Sequence, residues 1–317
     1  MYQEAAYIEP CLEAFAKQTY PMDRLEVLVV DGGSTDGSPE IVAHWAEAHE
    51  WVRLLENPRR IIPAACNVGL FAAHGDIVCF FSSHGEPAPD YVERLVAVLE
   101  ETGATGVGGT YMHVGGDRAS RAIGDAMASP FGMASPHRFA ADRRSVDTIS
   151  HPAYWRHALL EIGGFDEGML RNEDYELNWR LRERGAELVF DPTIRSIYRP
   201  RGSLAAMARQ FWWYGWWKGQ MVVRHPRSLK ARHLAAPAFA AGVLAAPVLF
   251  GTRRGRPLVV AGASAYAIAL AGAVRGIDDP AADKRVAAVA FPVIHFTWGA
   301  GVLASLGRTM LGRLRPQ

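Results

Sequence analysis

The sequence predicts an α/β domain followed by helices suited to a membrane, and three observations carry that reading. Short β-branched runs alternate with amphipathic segments up to about Pro226, nearly all acidic side chains lie in that part, and from about Leu234 the composition turns to Ala, Val, Leu and Gly with almost no charge. A chain of 317 residues is long enough to bury a sizeable core in one large domain or two smaller ones.

Leu25 to Val30 (LEVLVV) has the makeup of a buried parallel strand, and it ends in Asp31-Gly32-Gly33. A helix follows, with Ser38 or Asp36 as its cap, Pro39 in its first turn, and Ile41, Val42 and Trp45 on one face. A second unit runs from Asn67-Val68-Gly69 through a helical segment into a strand, Ile77 to Phe81, whose exit is Ser82-Ser83-His84; Pro87 and Pro89 then precede a helix from Tyr91 to Glu101. Ligands of open α/β sheets bind beyond the carboxyl ends of strands, which points to Asp31 and to Ser82–His84. Near residue 172, Asn172-Glu173-Asp174 opens a helix anchored by Tyr175, Leu177, Trp179 and Leu181.

Three apolar stretches follow, Leu234 to Gly251, Pro257 to Val274 and Val286 to Leu306. The third is long enough to cross a bilayer, the second just long enough, and the first is marginal, interrupted by Pro237 and Pro247. Ahead of them RQFWWYGWWKG, Arg209 to Gly219, holds four tryptophans and a tyrosine beside Arg209 and Lys218, a composition that favours the headgroup layer. The positive-inside tendency of Arg253, Arg254 and Arg256 favours an interfacial first stretch, with the second and third crossing as a pair. The expected organisation is a catalytic domain over residues 1–226, with 207–226 interfacial, and a membrane region over 234–306 with two or three apolar helices.

Composition narrows the function. Thirty-four Lys and Arg against 33 Asp and Glu leave a net charge of +1, so no nucleic-acid partner is expected. Cys11, Cys66 and Cys79 are odd in number and lack metal-binding spacing, which fits reduced thiols in a cytosolic domain. The first residues show no charged region followed by an apolar core, so no cleaved secretion signal is expected.

Asp31, at a strand exit before a glycine-rich turn, suits hydrogen bonding to a base or ribose, and it equally suits an Asx-turn that caps the next helix. Glu173 and Asp174 lie at a helix start, where an anion is stabilised; capping explains one acid there and leaves the second over.

The chain resembles the inverting family 2 glycosyltransferases of the GT-A fold, in the bacterial exopolysaccharide, succinoglycan-type subgroup. The resemblance rests on DGGSTDGSPEIV from Asp31, NVG from Asn67 followed by AHGDIVCFF, PAPDYVERL from Pro87, GGFDE from Gly163 and RNEDYELNWRLRERG from Arg171, in the family's order and spacing. It covers about Tyr2 to Pro226. It implies a GT-A domain that transfers a sugar, with inversion, from a nucleoside-diphosphate sugar to a membrane-borne, polyprenyl-linked glycan acceptor at the inner membrane. It further implies that Asp174 is the general base, that Glu173 orients it, that Glu4, Asp31, Gly33, Asn67, Ser82 and Ser83 line the donor, and that His84 is a ligand for Mg²⁺ or Mn²⁺.

Three positions depart from the family's pattern. Ser82 stands where the family's DxD or DxH motif has its first acid. Met1-Tyr2-Gln3-Glu4 stands where the family's first strand has just ended, so the GT-A sheet is expected without that strand here and the strand is expected from residues upstream of Met1. Trp213 stands where processive synthases carry the arginine of QxxRW, which predicts non-processive transfer. The competing reading is a weakly active or inactive scaffold subunit of a polysaccharide-synthesis complex, suggested by Ser82 and by the expected absence of the first strand. A dinucleotide-dependent oxidoreductase is excluded because DGGSTDG lacks the GxGxxG spacing.

Overall fold

The structure, a computed structural model, describes residues 1–113, 117–132, 140–198 and 203–313. It contains α1 (Ile8–Ala16), β1 (Val27–Asp31), α2 (Ser38–Ala48), β2 (Val52–Glu56), α3 (Ile62–Ala72), β3 (Ile77–Cys79), β4 (Gly85–Pro87), α4 (Tyr91–Thr102), β5 (Gly106–His113), α5 (Arg118–Ala128), β6 (Arg144–Ser145), β7 (Ala153–Trp155), α6 (Arg156–Glu161), α7 (Glu173–Glu183), β8 (Leu188–Tyr198), α8 (Leu204–Arg224), α9 (Ala235–Phe250), α10 (Gly255–Arg275) and α11 (Lys284–Arg313). The chain divides into two compact units, one of Met1–Met112 with Pro136–Tyr198 and one of His113–Ser135 with Arg199–Gln317. Within the second unit Ala122, Ile123 and Ala126 of α5 are buried in one cluster with Phe211, Ala236, Phe291 and Ile294.

In the first unit β1 and β2 pair in parallel, Val27 beside Val52 through Asp31 beside Glu56. The apolar run expected to be a buried parallel strand is a parallel strand, but only its Val29 is buried and the rest is half-buried; Val29, Val42 and Val52 close on Ile8 and Leu12 of α1. Full burial of such a side chain contributes about 1.5–3 kcal/mol. A second, six-stranded sheet runs β3-β7-β5-β8-β4, with β6 on β8. There β3 and β5 pair antiparallel with β7, and β4 and β6 antiparallel with β8, where the strand–helix alternation suggested parallel neighbours. No ladder joins the two sheets among the described residues. The helix after β1 is capped differently from expectation: Gly37, in left-handed geometry, is its N-cap, and Asp36 accepts from the Ser38 N–H and hydroxyl.

In the second unit three helices are long and apolar enough to cross a membrane, within Ala231–Phe250, Gly255–Arg275 and Lys284–Leu311. Val243, Leu244, Val248, Leu258 and Ile268 of α9 and α10 are exposed, whereas α11 buries Ala287, Ala290, Phe291 and Ile294. The aromatic run forms α8, which meets α11 at backbone contact. A Cβ on Gly215 would lie 2.0 Å from the Trp298 carbonyl oxygen, and one on Gly219 2.6 Å from the Ser305 side chain. Glycines four residues apart thus let two helices approach as small residues do in membrane helix pairs. Gln220 Nε2 adds a hydrogen bond to Ser305 Oγ at 2.8 Å. Of the four tryptophans, Trp213 is exposed and the others are half-buried.

Candidate active site

The loop after β1 is organised by Asp31. Its Oδ2 accepts the N–H groups of Gly33 and Ser34 at 2.9 Å, and its Oδ1 accepts the Ser34 hydroxyl at 2.6 Å. Burial pulls this carboxyl up, but the Ser34 and Gly33 donors and the N-terminal ammonium outweigh it and hold the group below the usual carboxylate range. The local turn uses three of a carboxylate's roughly four acceptor positions, leaving one for a ligand. Gly33 has φ +82°, and the Arg60 guanidinium lies against it, about 3 Å from where a Cβ would stand. Met1 to Ala5 run beside this loop: Met1 N donates to Val30 O, Gly32 N to Met1 O, Gln3 N to Ser34 Oγ and Glu4 N to Ser38 Oγ.

Glu4, Ser82 and His84 come together. His84 Nδ1 is 3.2 Å from Glu4 Oε1, and Ser82 Oγ is 3.0 Å from His84 Nε2. All three side chains are partly buried. One carboxylate and one imidazole are fewer than a closed metal cage requires, and no group of three or more His, Cys, Asp or Glu suited to a metal occurs among the described residues. Glu4 supplies one carboxylate, which fits the way Mg²⁺ is held by one or two carboxylates when substrate phosphates supply the remaining oxygens. Ser83 lies in the same loop, half-buried.

Glu173 and Asp174 open α7 after Asn172, whose φ of 59° turns the chain into the helix. Asp174 is exposed, with its Oδ1 2.7 Å from the Tyr175 nitrogen. Buried polar contacts fix the helix behind it. Both Glu176 oxygens accept from Arg180 Nε at 2.8 and 2.9 Å, and the same guanidinium donates to the carbonyls of Ile162 and Gly164 at 2.9 and 2.7 Å. Asn178 accepts from the Tyr154 hydroxyl at 2.7 Å and donates to Thr148 at 3.0 Å.

Asn67 braces the loop ahead of α7. Its amide donates to Phe165 O and Glu167 Oε1 at 3.0 Å and accepts from Phe165 N at 2.8 Å. Gly164, at φ +73°, passes so close that a Cβ would lie 2.5 Å from Asn67 Oδ1. The structure thus engages Asn67 in holding the loop. The thiol of neighbouring Cys66 is pushed up by burial and then by the charges of Glu173 and Asp174, and eased by the N-terminal ammonium. Sequence reasoning missed Glu176, Asn178 and Arg180; the Glu176/Arg180 spacing of four was visible, but their burial was not.

Half-buried Glu173 has its carboxyl pushed above the ordinary range by burial and by the Asp174 charge beside it. A carboxyl raised on folding contributes stability that is full below its unfolded pKa, about 4.3, and is lost as pH climbs through the folded value. Glu173→Gln cannot ionise, so it is expected to melt above the wild type at pH 9, with a smaller difference at pH 4. Thermal unfolding at the two pH values checks this, and a pH-independent difference would remove the raised carboxyl.

Comparison with known proteins adds sequence and fold. The family model described as Glycosyl transferase family 2 matches residues 1–162. The chain is 31% identical over 304 residues to the succinoglycan biosynthesis protein ExoA of Rhizobium meliloti (strain 1021), covering 94% of this chain and 90% of that protein. It is 27% identical over 229 residues, 70% of this chain and 71% of the relative, to a dolichyl N-acetyl-alpha-D-glucosaminyl phosphate 3-beta-D-2,3-diacetamido-2,3-dideoxy-beta-D-glucuronosyltransferase of Methanococcus voltae. Among solved structures it resembles the mannosyltransferase PcManGT from Pyrobaculum calidifontis in complex with GDP-Man and Mn²⁺, with a TM-score of 0.63 and 23% identity over 96% of this chain and 85% of that one. S. aureus TarS 1-349 in complex with UDP-GlcNAc matches with a TM-score of 0.51 and 14% identity over 98% and 90% of the two chains.

Proposed function

Because this chain belongs to glycosyl transferase family 2 and has a GT-A fold, we propose that it transfers one sugar from a nucleoside-diphosphate donor to a lipid-linked glycan acceptor, with inversion, in exopolysaccharide or cell-envelope glycan synthesis. The observation that carries the reading is Asp174: an exposed carboxylate at a helix start, on a helix fixed from behind by buried polar contacts. The catalytic part is assigned to residues 1–226 and the membrane part to 234–306, with the catalytic part on the cytosolic side of the inner membrane.

Asp174 takes the proton from the acceptor hydroxyl as that oxygen attacks the anomeric carbon and the nucleoside diphosphate leaves from the opposite face. A single displacement inverts the carbon and needs no nucleophilic side chain. Glu173, whose carboxyl is pushed toward its neutral form by burial and by the Asp174 charge, would add little negative charge beside the base and would donate a hydrogen bond when protonated. The remaining acceptor position on Asp31, and the Gly33 backbone, suit the nucleoside. Glu4 and His84, steadied by Ser82, would hold Mg²⁺ or Mn²⁺ against the donor diphosphate, where the cation supplies charge for the leaving group.

The test is a panel of UDP- and GDP-sugars offered with polyprenyl-linked acceptors to the full chain in membranes, with the anomeric configuration of the product read by NMR. Retention of configuration, or hydrolysis without transfer for every pair, would refute the reading. Excess chelator is expected to lower transfer by roughly tenfold or more, and His84→Ala to raise the Mg²⁺ or Mn²⁺ concentration needed for half-maximal rate. Full activity in chelator would exclude the metal role.

A further inference from the structure

The turn from β2 into α3 carries two adjacent arginines in different surroundings. The Arg60 N–H closes the turn on the Asn57 carbonyl at 3.1 Å. Buried Asn57 ties it to the end of β1: its N–H donates to Asp31 O at 2.7 Å, and its Nδ2 donates to Ile61 O at 2.9 Å. Arg59 pairs with Glu167. Exposed Arg60 has neither an ion pair nor a side-chain hydrogen bond among the described residues. Its guanidinium lies over Gly33, with Nε 3.0 Å and Nη2 3.1 Å from where a Cβ would stand.

The backbone at Arg60 is set against its side chain. At φ 55° it takes the left-handed step that glycine and asparagine make most readily, and a longer side chain is held there under strain. Such outliers cluster at ligand clamps, and here the strained residue brings its planar group over the turn that Asp31 organises. Across that turn Tyr2, 61% exposed, has Cδ2 3.8 Å from where a Cβ on Gly32 would stand. Two planar side chains, one aromatic and one a fork of N–H donors, therefore flank the Asp31-Gly32-Gly33 turn. Asp31 is assigned to the nucleoside and Glu4 with His84 to the diphosphate, so Arg60 stands at the nucleoside end. A guanidinium suits a nucleobase there, because it stacks on aromatic faces and donates in its plane to ring nitrogens and carbonyl oxygens.

We propose that Arg60 recognises the nucleobase of the sugar donor, its guanidinium packing against the base that Asp31 holds. The inference rests on the donor being a nucleoside diphosphate and is independent of the proton acceptor assigned to Asp174. Glycine or asparagine would fit the backbone at this position better, so the arginine is there for its side chain.

The experiment titrates the full chain in detergent with UDP and with GDP in the presence of Mn²⁺, reads Kd by calorimetry, and measures the Tm of the unliganded chain. Whichever nucleotide binds the wild type more tightly is expected to bind Arg60→Asn roughly 10–100-fold more weakly. The Tm should hold or rise, because asparagine takes the left-handed step with less strain. Arg60→Lys keeps the charge and loses the plane, so it is expected to bind about as weakly as Arg60→Asn. Recovery of wild-type affinity in Arg60→Lys would assign the contact to phosphate charge and overturn the nucleobase role. Wild-type affinity in Arg60→Asn, or a Tm that falls along with the affinity, would overturn it as well, the latter by making Arg60 a structural residue. A wild-type chain that binds neither nucleotide refutes the donor reading and this proposal together. Binding that depends on Arg60 in a chain that transfers no sugar refutes the transferase reading and leaves the assignment of Arg60 standing.

Discussion

Asp174→Asn is expected to lower the transfer rate by about 10²–10⁴-fold, the usual contribution of a positioned general base, while donor affinity stays within about threefold of wild type. The amide keeps the shape of the side chain and its acceptor oxygen for the Tyr175 N–H, but it cannot take a proton. The substitution lies at an exposed position, so the melting temperature should move little. Steady-state transfer and equilibrium donor binding, measured on the same preparation, check the two halves. A variant with near-wild-type transfer would remove Asp174 as the base, and a chain equally inactive before and after the change would favour a scaffold. Glu173→Gln distinguishes the neighbours: it puts a neutral hydrogen-bonding group in place of a carboxyl that burial and the Asp174 charge push toward its neutral form, so it should keep far more activity than Asp174→Asn.

The parts of the fold that were legible in the sequence are those fixed by local pattern. LEVLVV before Asp31, the helix from Tyr91, the helix opening at Glu173 and the three apolar stretches all lie within a few residues of their places in the structure. Pairing was harder to read. β5, GVGGTYMH, carries three glycines and little periodicity, yet it runs in the middle of the six-stranded sheet. Its strand identity comes from β7 and β8, which are distant in sequence. Likewise the apolar side of α5 required a partner, but nothing local in RASRAIGDAMA identifies α11 as that partner. In the site, the carboxylates at strand exits and at a helix start were visible, because chemistry selects those residue types at those places. The supports were not. Asn67 lay in a quoted motif, but its three hydrogen bonds to Phe165 and Glu167 depend on a loop about a hundred residues away. Glu176 and Arg180 have the spacing of an ordinary surface pair, and only burial shows otherwise.

That burial makes Arg180→Met the substitution with the largest expected effect on stability. The Glu176 side chain is 2% exposed and Arg180 is 24% exposed. Taking the cation away from a buried carboxylate costs about 3–5 kcal/mol when both partners are inside, and the partial exposure of Arg180 lowers the expectation to about 2–4 kcal/mol. The guanidinium also holds the Ile162 and Gly164 carbonyls, so the loop that Asn67 grips should loosen and Asp174 should lose its fixed place. Transfer is therefore expected to fall in kcat more than in donor KM. Pairing Arg180→Met with Glu176→Leu removes the stranded charge and should recover most of the stability. The loop carbonyls would still lack their donor, so activity should recover less than stability does. Denaturant unfolding and kcat on the single and double variants check this, and a single variant as stable as wild type would show that the pair does not hold the helix.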